Sequence, residues 1–229
     1  MRHKEMSVLI GIKDLYDLDH TIAAALFEGK EYPWEVLGGI EAFIRALGPT
    51  LDPVVFEQRG QDIWIARDAT VAPTASLTGP LIVDAGAEIR HCAFIRGSAI
   101  VGKGAVVGNS TELKNCVLFD GVQVPHYNYI GDSVLGHKSH FGAGSITSNV
   151  KGDKTLVVVR AGDRRYETGR KKVGALAGDF AEIGCNAVLN PGTIIGRGGR
   201  VYPLCSVRGF VPAGHLLKSD GTCTPQKVT

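Results

Sequence analysis

Charge of one sign, cysteine pairs and long apolar runs are all scarce in this chain of 229 residues. A formal charge of +2 with 21% charged residues gives the whole molecule no electrostatic footprint for nucleic acid or a membrane surface. The five cysteines, Cys92, Cys116, Cys185, Cys205 and Cys223, are odd in number and contain no CxxC pair. That argues against a disulfide framework and against a structural zinc site. No run approaches the ~18 apolar residues of a membrane span. The opening MRHKEMSVLIGIKDLYDLD is basic, but acidic residues interrupt its short apolar stretch, so it does not read as a signal peptide. These absences place the chain in a reducing cytoplasm.

Glycine is abundant, at thirty residues, which suits a chain of many tight corners. Apolar residues recur every six positions from Ile65 through Val71, Leu77, Val83, Ile89, Ile95, Val101, Val107 and Leu113 to Phe119. A small or aliphatic residue precedes most of them by two, as at Ala69, Ala87, Ala93, Ala99 and Ala105. A helix repeats every three to four residues and a strand every two, so a period of six is neither. Two inward positions spaced by two fit a short strand, and the remaining residues turn a corner. This predicts a mainly β chain built as a parallel β-helix, a hexapeptide solenoid. The rhythm is expected to slip at Pro125, with Tyr129, Leu135 and Phe141 next in phase. It resumes at Ala177, Ile183, Leu189, Ile195, Val201 and Val207.

The expected organisation is a helical cap over residues 1–60, a β-helix over 61–215 and a tail over 216–229. Asp19 caps a short helix that ends at Gly29, and Pro33 opens a second that ends at Gly48. These helices are expected to cover the exposed end coil of the solenoid. A stretch at 148–176 interrupts the repeat and is expected to project as a hairpin around AGDR. It carries eight Lys or Arg against three carboxylates. Most charge runs are solvated faces, but such a cluster also suits a phosphorylated ligand.

His126, in VPHYNYIGD, sits where the rhythm fails, so its imidazole is available as a general base. Lys114 in ELKN, His126 and Tyr129 in PHYNYIGD, FGAGSITSN, and TGRKKVGALAGDFAEIGCNAVLNPGTIIG together resemble a known family. It comprises the acetyltransferase domain of the bifunctional enzymes that make UDP-N-acetylglucosamine and the C-terminal domains of archaeal-type sugar-1-phosphate nucleotidylyltransferases. The resemblance covers about 90–210. No glycine-rich GxGTR-type loop is present, so it does not extend to pyrophosphorylase activity.

The resemblance implies a left-handed β-helix that forms a homotrimer, with acetyl-CoA as donor and an amino-sugar phosphate such as glucosamine-1-phosphate as acceptor. It implies His126 as base and Arg96, Lys114, Tyr129, His140, Asn149 and Lys154 as substrate-binding residues. Ala143 and Cys185, with the basic Arg170, Lys171 and Lys172, are the expected acetyl-CoA contacts, and no metal is implied. His140 stands where the hexosamine enzymes usually have asparagine, which opens the identity of the sugar. Three other readings compete. One is an acyltransferase for a different amine or hydroxyl; another is a zinc hydratase using three of His91, His126, His137 and His140. The third is an inactive solenoid that binds a sugar phosphate.

Overall fold

The computed structural model describes residues 10–226, and the basic start weighed above against a signal peptide lies outside them. Its body is a three-sided parallel β-helix. On the first side, Ile65 pairs with Val83, Val83 with Val101, Val101 with Leu118, and Leu118 with Leu135. Ala177, Ile195 and Val211 complete this inward column. The second side stacks Val71, Ile89, Val107, Val124, Phe141, Ile183, Val201 and Leu217, and the third runs from Leu77 to Val207. Parallel strands with apolar residues facing inward in every coil bury a continuous core along the axis.

The coils are not all of one length. Val83 meets Val101 eighteen residues on, but Val101 meets Leu118 after seventeen and Leu118 meets Leu135 after seventeen. One residue is missing from the same corner in two successive coils, so strands Glu112–Leu118 and Tyr129–Leu135 run on through it. Asn115 and Asp132, both at positive φ, make the turns. The slip therefore begins ten residues before Pro125. Leu118, and not Phe119, is the inward residue of its coil, and Ile130, and not Tyr129, is that of the next.

The first side carries apolar residues on its outer surface too. Trp64, Ile82, Ile100, Val117, Val134, Leu176 and Ile194 point away from the axis, yet none exceeds 6% exposure. The N-terminal segment lies along them rather than over the end coil. Its elements are a short helix Ile12–Leu15, 3-10 turns at Leu18–His20, Ala24–Phe27 and Pro33–Gly38, and a helix Ile40–Leu47. Helix Ile40–Leu47 contacts strands Ala99–Val101 and Glu112–Leu118, and Trp64 packs at Gly48. Phe119 is fully buried against this cover, its ring 5.2 Å from Tyr16 and 5.7 Å from Phe27. An outer apolar row demands such a partner, because exposing it would leave several large side chains in water.

The 148–176 excursion completes the cover instead of projecting. Strands Val158–Ala161 and Arg164–Glu167 form a hairpin around Gly162 and Asp163, while Val157, Val159 and Ala161 are buried. Tyr166 packs against Tyr32 and Trp34, at 5.3 and 6.1 Å. At the ends of the solenoid, antiparallel strands close the sheet edges: Phe56–Gly60 on Ile63–Ala66, and Cys223–Pro225 on His215–Leu217.

Where the cover meets the corner between the first and second sides, His20 and His137 stack 3.7 Å apart with their planes at 11°, and Phe180 meets His137 edge-on. His137 Nδ1 donates to the Asp120 carbonyl at 2.8 Å, which leaves the neutral ring well satisfied. Asp17 lies 3.8 Å from His20, Lys138 adjoins His137, and the buried Asp179 carboxylate accepts from His137 N and Asp17 N beside Arg197. Burial, then the neighbouring His20, pushes the His137 pKa below its usual 6.5.

Two outcomes are expected. Phe119→Ala loses about 3–5 kcal/mol, the usual cost of emptying a buried aromatic site, read by denaturant titration together with faster amide exchange in Ile12–Leu15. Because folded His137 binds its proton less readily than the unfolded chain, its contribution is full above 6.5 and declines as pH falls below it. Thermal scans from pH 7.5 to 5.5 should show a steeper loss in the wild type than in His137→Gln, which leaves the opposing, burial-raised Asp179 in place.

Candidate active site

The corner between the second and third sides forms a stack of equivalent residues, one per coil: Asn109, His126, Ala143 and Cys185. Backbone hydrogen bonds fix the order. Tyr127 N donates to Asn109 O at 2.8 Å, Gly144 N to His126 O at 3.0 Å, and Asn186 N to Ala143 O at 2.8 Å. His126, Ala143 and Cys185 therefore occupy successive coils on one edge. His126 and Cys185 are exposed, and Ala143, flanked by Gly142 and Gly144, keeps the edge low between them. The N–H of Ala143 has no acceptor among the described residues.

The backbone of His126 is held from inside. Asn128 Oδ1 accepts from His126 N at 3.0 Å, while Asn128 Nδ2 reaches Gly142 O and the Ser145 carbonyl and hydroxyl at 2.9 to 3.1 Å. Thr111 and Ser145, also buried, extend this polar ladder through the core. Other coils place alanine at these positions, as at Ala75, Ala93 and Ala187. A satisfied buried network specifies one geometry more strictly than alanine does.

Three residues beyond His126, Tyr129 faces outward on the third side. Its phenol oxygen accepts from Asn149 Nδ2 at 3.2 Å, and burial foremost holds its pKa above the usual 10.0, so the hydroxyl stays protonated at neutral pH. Glu112 pairs with Tyr129 in the ladder and binds Arg96 at 2.8 Å. At the shortened corner, the buried Asp132 carboxylate accepts from Lys114 Nζ at 3.1 and 3.3 Å, Asn115 Nδ2 at 2.8 Å and Asn149 Nδ2 at 2.6 Å. Arg96, Lys114, Tyr129 and Asn149 thus share the third side, with His126 on its far edge.

The remaining expected residues lie elsewhere. His140 faces outward on the second side, its Nδ1 3.0 Å from Glu182. Lys154 is exposed in the excursion, as are Lys171 and Lys172. The Arg170 guanidinium packs at Gly38, where an added Cβ would meet its Nη1 at 2.7 Å, so it lies with the cover and not beside Cys185. All five cysteines are free, and burial pushes the Cys116 thiol up to about 12. Among the described residues no three His, Cys, Asp or Glu side chains are grouped as metal ligands.

Asp132, Asn115, Glu112 and Asn128 escape a reading of the hexads alone. Their signal is a seventeen-residue spacing, which sets LKN over IGD, and polar residues in the slots that alanine fills elsewhere. Gly131 leaves the space that Tyr129 and Asn149 occupy: a Cβ there would lie 2.5 Å from the phenol oxygen and 2.9 Å from Asn149 Nδ2. Gly131→Ala is expected to break the Asn149–Tyr129 hydrogen bond, seen as a shift of the Asn149 side-chain amide resonances. The far-UV dichroism should be unchanged.

Residues 77–160 match the family model described as the GMPPB C-terminal domain. The chain is 31% identical over 218 residues to a bifunctional sugar-1-phosphate nucleotidylyltransferase/acetyltransferase of Sulfurisphaera tokodaii, covering 87% of this chain and 52% of that protein. It is 28% identical over 208 residues to the bifunctional protein GlmU of Methanococcus maripaludis, covering 82% and 46%. The acetyltransferase domain of PglB from Neisseria gonorrhoeae, solved with acetyl coenzyme A, aligns over 87% of this chain and 80% of that one, at 18% identity and a TM-score of 0.42. The chain spans about half the length of the curated relatives it matches. It is a hexapeptide-repeat β-helix protein resembling the C-terminal, acetyltransferase part of the GlmU-like bifunctional sugar-1-phosphate nucleotidylyltransferases.

Proposed function

We propose that the protein transfers an acetyl group from acetyl-CoA to the amine of an amino-sugar phosphate such as glucosamine-1-phosphate, with His126 as general base, in nucleotide-sugar biosynthesis. The observation that carries this reading is the edge on which His126, Ala143 and Cys185 follow one another in successive coils, beside a side that bears Arg96, Lys114, Tyr129 and Asn149. The low edge at Gly142, Ala143 and Gly144 fits a narrow pantetheine arm, and the unengaged Ala143 N–H is a donor suited to an oxyanion. In the reaction His126 takes a proton from the substrate ammonium. The freed nitrogen attacks the thioester carbonyl, the tetrahedral adduct gives its second N–H proton to solvent, and the C–S bond breaks as the intermediate collapses to the amide and the thiolate. The imidazolium then returns its proton to the departing thiolate, so the base is regenerated.

Arg96 and Lys114 supply the cations for the phosphate, Arg as a fork and Lys as a point charge. Tyr129 and Asn149 offer neutral donors to the sugar. Lys154, Lys171 and Lys172, exposed on the excursion, serve the phosphates of the donor or acceptor from outside the edge. His140, engaged with Glu182 across the edge from Tyr129, leaves the identity of the amino sugar open. The active assembly is a homotrimer that brings the uncovered sides of neighbouring prisms together, in the cytoplasm, where five free thiols persist.

A second reading is an acyltransferase for another amine or hydroxyl. It is favoured by the pairing of Arg96 with Glu112 and Lys114 with Asp132, which cancels the local charge a phosphate would seek. Thiol release with a panel of amino-sugar phosphates, nucleotide amino sugars and amino acids separates the two. Within the first reading His126→Ala lowers turnover by roughly 10²–10⁴ while leaving substrate binding nearly intact. Near wild-type acetylation by this variant removes His126 as base. Acetyl-CoA should also slow alkylation of Cys185 selectively, with the exposed Cys92 and Cys223 as internal controls.

A further inference from the structure

The side chain of Asp132 is only 3% exposed and is met by three donor residues from two separate parts of the chain. Lys114 and Asn115 come from the coil below, and Asn149 from the first residues of the excursion. The Asp132 carbonyl also accepts from Gly174 N at 2.7 Å, where the excursion rejoins the solenoid, and Val173 N donates to Asn149 O at 3.1 Å. The Asn115 amide is shared, since its Nδ2 also donates to Leu37 O of the N-terminal cover at 3.1 Å. Asn149 passes the arrangement on to the Tyr129 hydroxyl.

We propose that Asp132 is the positioning residue of the candidate site: its carboxylate sets the Lys114 ammonium and the Asn149 amide in place for the acceptor, and Asn115 ties that setting to the N-terminal cover. The inference rests on the acetyl-transfer reading for its substrate, but its geometry stands apart from it. A carboxylate with four lone-pair directions accepts from a cation and two amides at once. Charge-assisted bonds of this kind are stronger and more directional than neutral ones. An asparagine at the same position turns an NH2 group toward donors and so cannot hold all three. Asp132 has φ 47, a left-handed conformation in which Asn is as well accommodated as Asp. Asp132→Asn therefore changes the charge and not the turn.

The test is the steady-state kinetics of Asp132→Asn on the full chain, with glucosamine-1-phosphate as probe. The KM for the sugar phosphate is expected to rise by about tenfold or more, with kcat changed by less than about threefold and the KM for acetyl-CoA within about twofold, the pattern of lost ground-state binding. Lys114→Met should raise the same KM, and the double variant should be no worse than the poorer single one. Multiplying effects would show that the two side chains act separately and overturn the proposal. An unchanged KM in Asp132→Asn would overturn it as well. Should that variant fail to fold, Asn115→Ala removes the tie to Leu37 and is expected to raise the KM by about threefold, with no rise counting against the proposal.

Side-chain amide spectra separate this inference from the reaction itself. In Asp132→Asn the Asn115 and Asn149 resonances should move toward those of free amides. If the wild type releases no thiol with any amino-sugar phosphate, the proposed reaction falls while these shifts still read the positioning. Resonances that stay put overturn the positioning role whatever the activity.

Discussion

One missing residue at one corner, in two consecutive coils, organises the candidate site. A regular eighteen-residue coil turns that corner with a loop between two short strands, as Arg96, Gly97 and Ser98 do. With seventeen residues the strand runs through, and the turn is made by a single left-handed residue, Asn115 in one coil and Asp132 in the next. Short polar side chains tolerate that conformation, and here the same side chains become the centre of a hydrogen-bond network. The backbone requirement and the polar cluster have a single cause. The 148–176 excursion leaves the solenoid at the same corner one coil later, which brings Asn149 over Asp132.

The second constraint is the double apolar register of the first side. Its strands are apolar on both surfaces, so the prism is not self-sufficient there, and the N-terminal segment and the hairpin supply the missing layer. This differs from end capping in its effect on function. An end cap would stand remote from the third side, whereas the lateral cover reaches Asn115 through Leu37 and Asp179 through Leu15 and Asp17. Packing of the cover and geometry of the candidate site are joined by named hydrogen bonds.

Much of this is legible in the sequence. The six-residue period predicts the solenoid, and the side chains at Arg96, Lys114, Tyr129 and Asn149 share one side of it. The exact register is not legible from apolarity alone, because Leu118 and Phe119 are both apolar and either satisfies the hexad. Pairing chooses Leu118, and the aromatic cover takes Phe119. The lateral cover does leave a trace, in that every third hexad reads with two apolar residues together, in LIV, AIV, CVL, SVL, ALA and TII. A search for one inward residue per hexad passes over it. Asp132 is hidden for a different reason: a charged residue in a core-facing stretch reads as a corner until its partners, seventeen residues away on either side, are set beside it.

The lateral cover has a consequence for how the chain folds. Residues 12–47 leave the ribosome before any strand they rest on, and the apolar row they cover extends from Trp64 to Ile194. Coils of the solenoid stack on their immediate predecessors and can form in order as they emerge. The cover cannot, because its surface is assembled piece by piece over the following hundred and more residues. It is an early-made, late-docked element whose contacts are of long sequence separation, and such contacts form slowly. Until docking is complete, the growing solenoid carries an apolar stripe along one side, and the nascent chain is most prone to association during that interval.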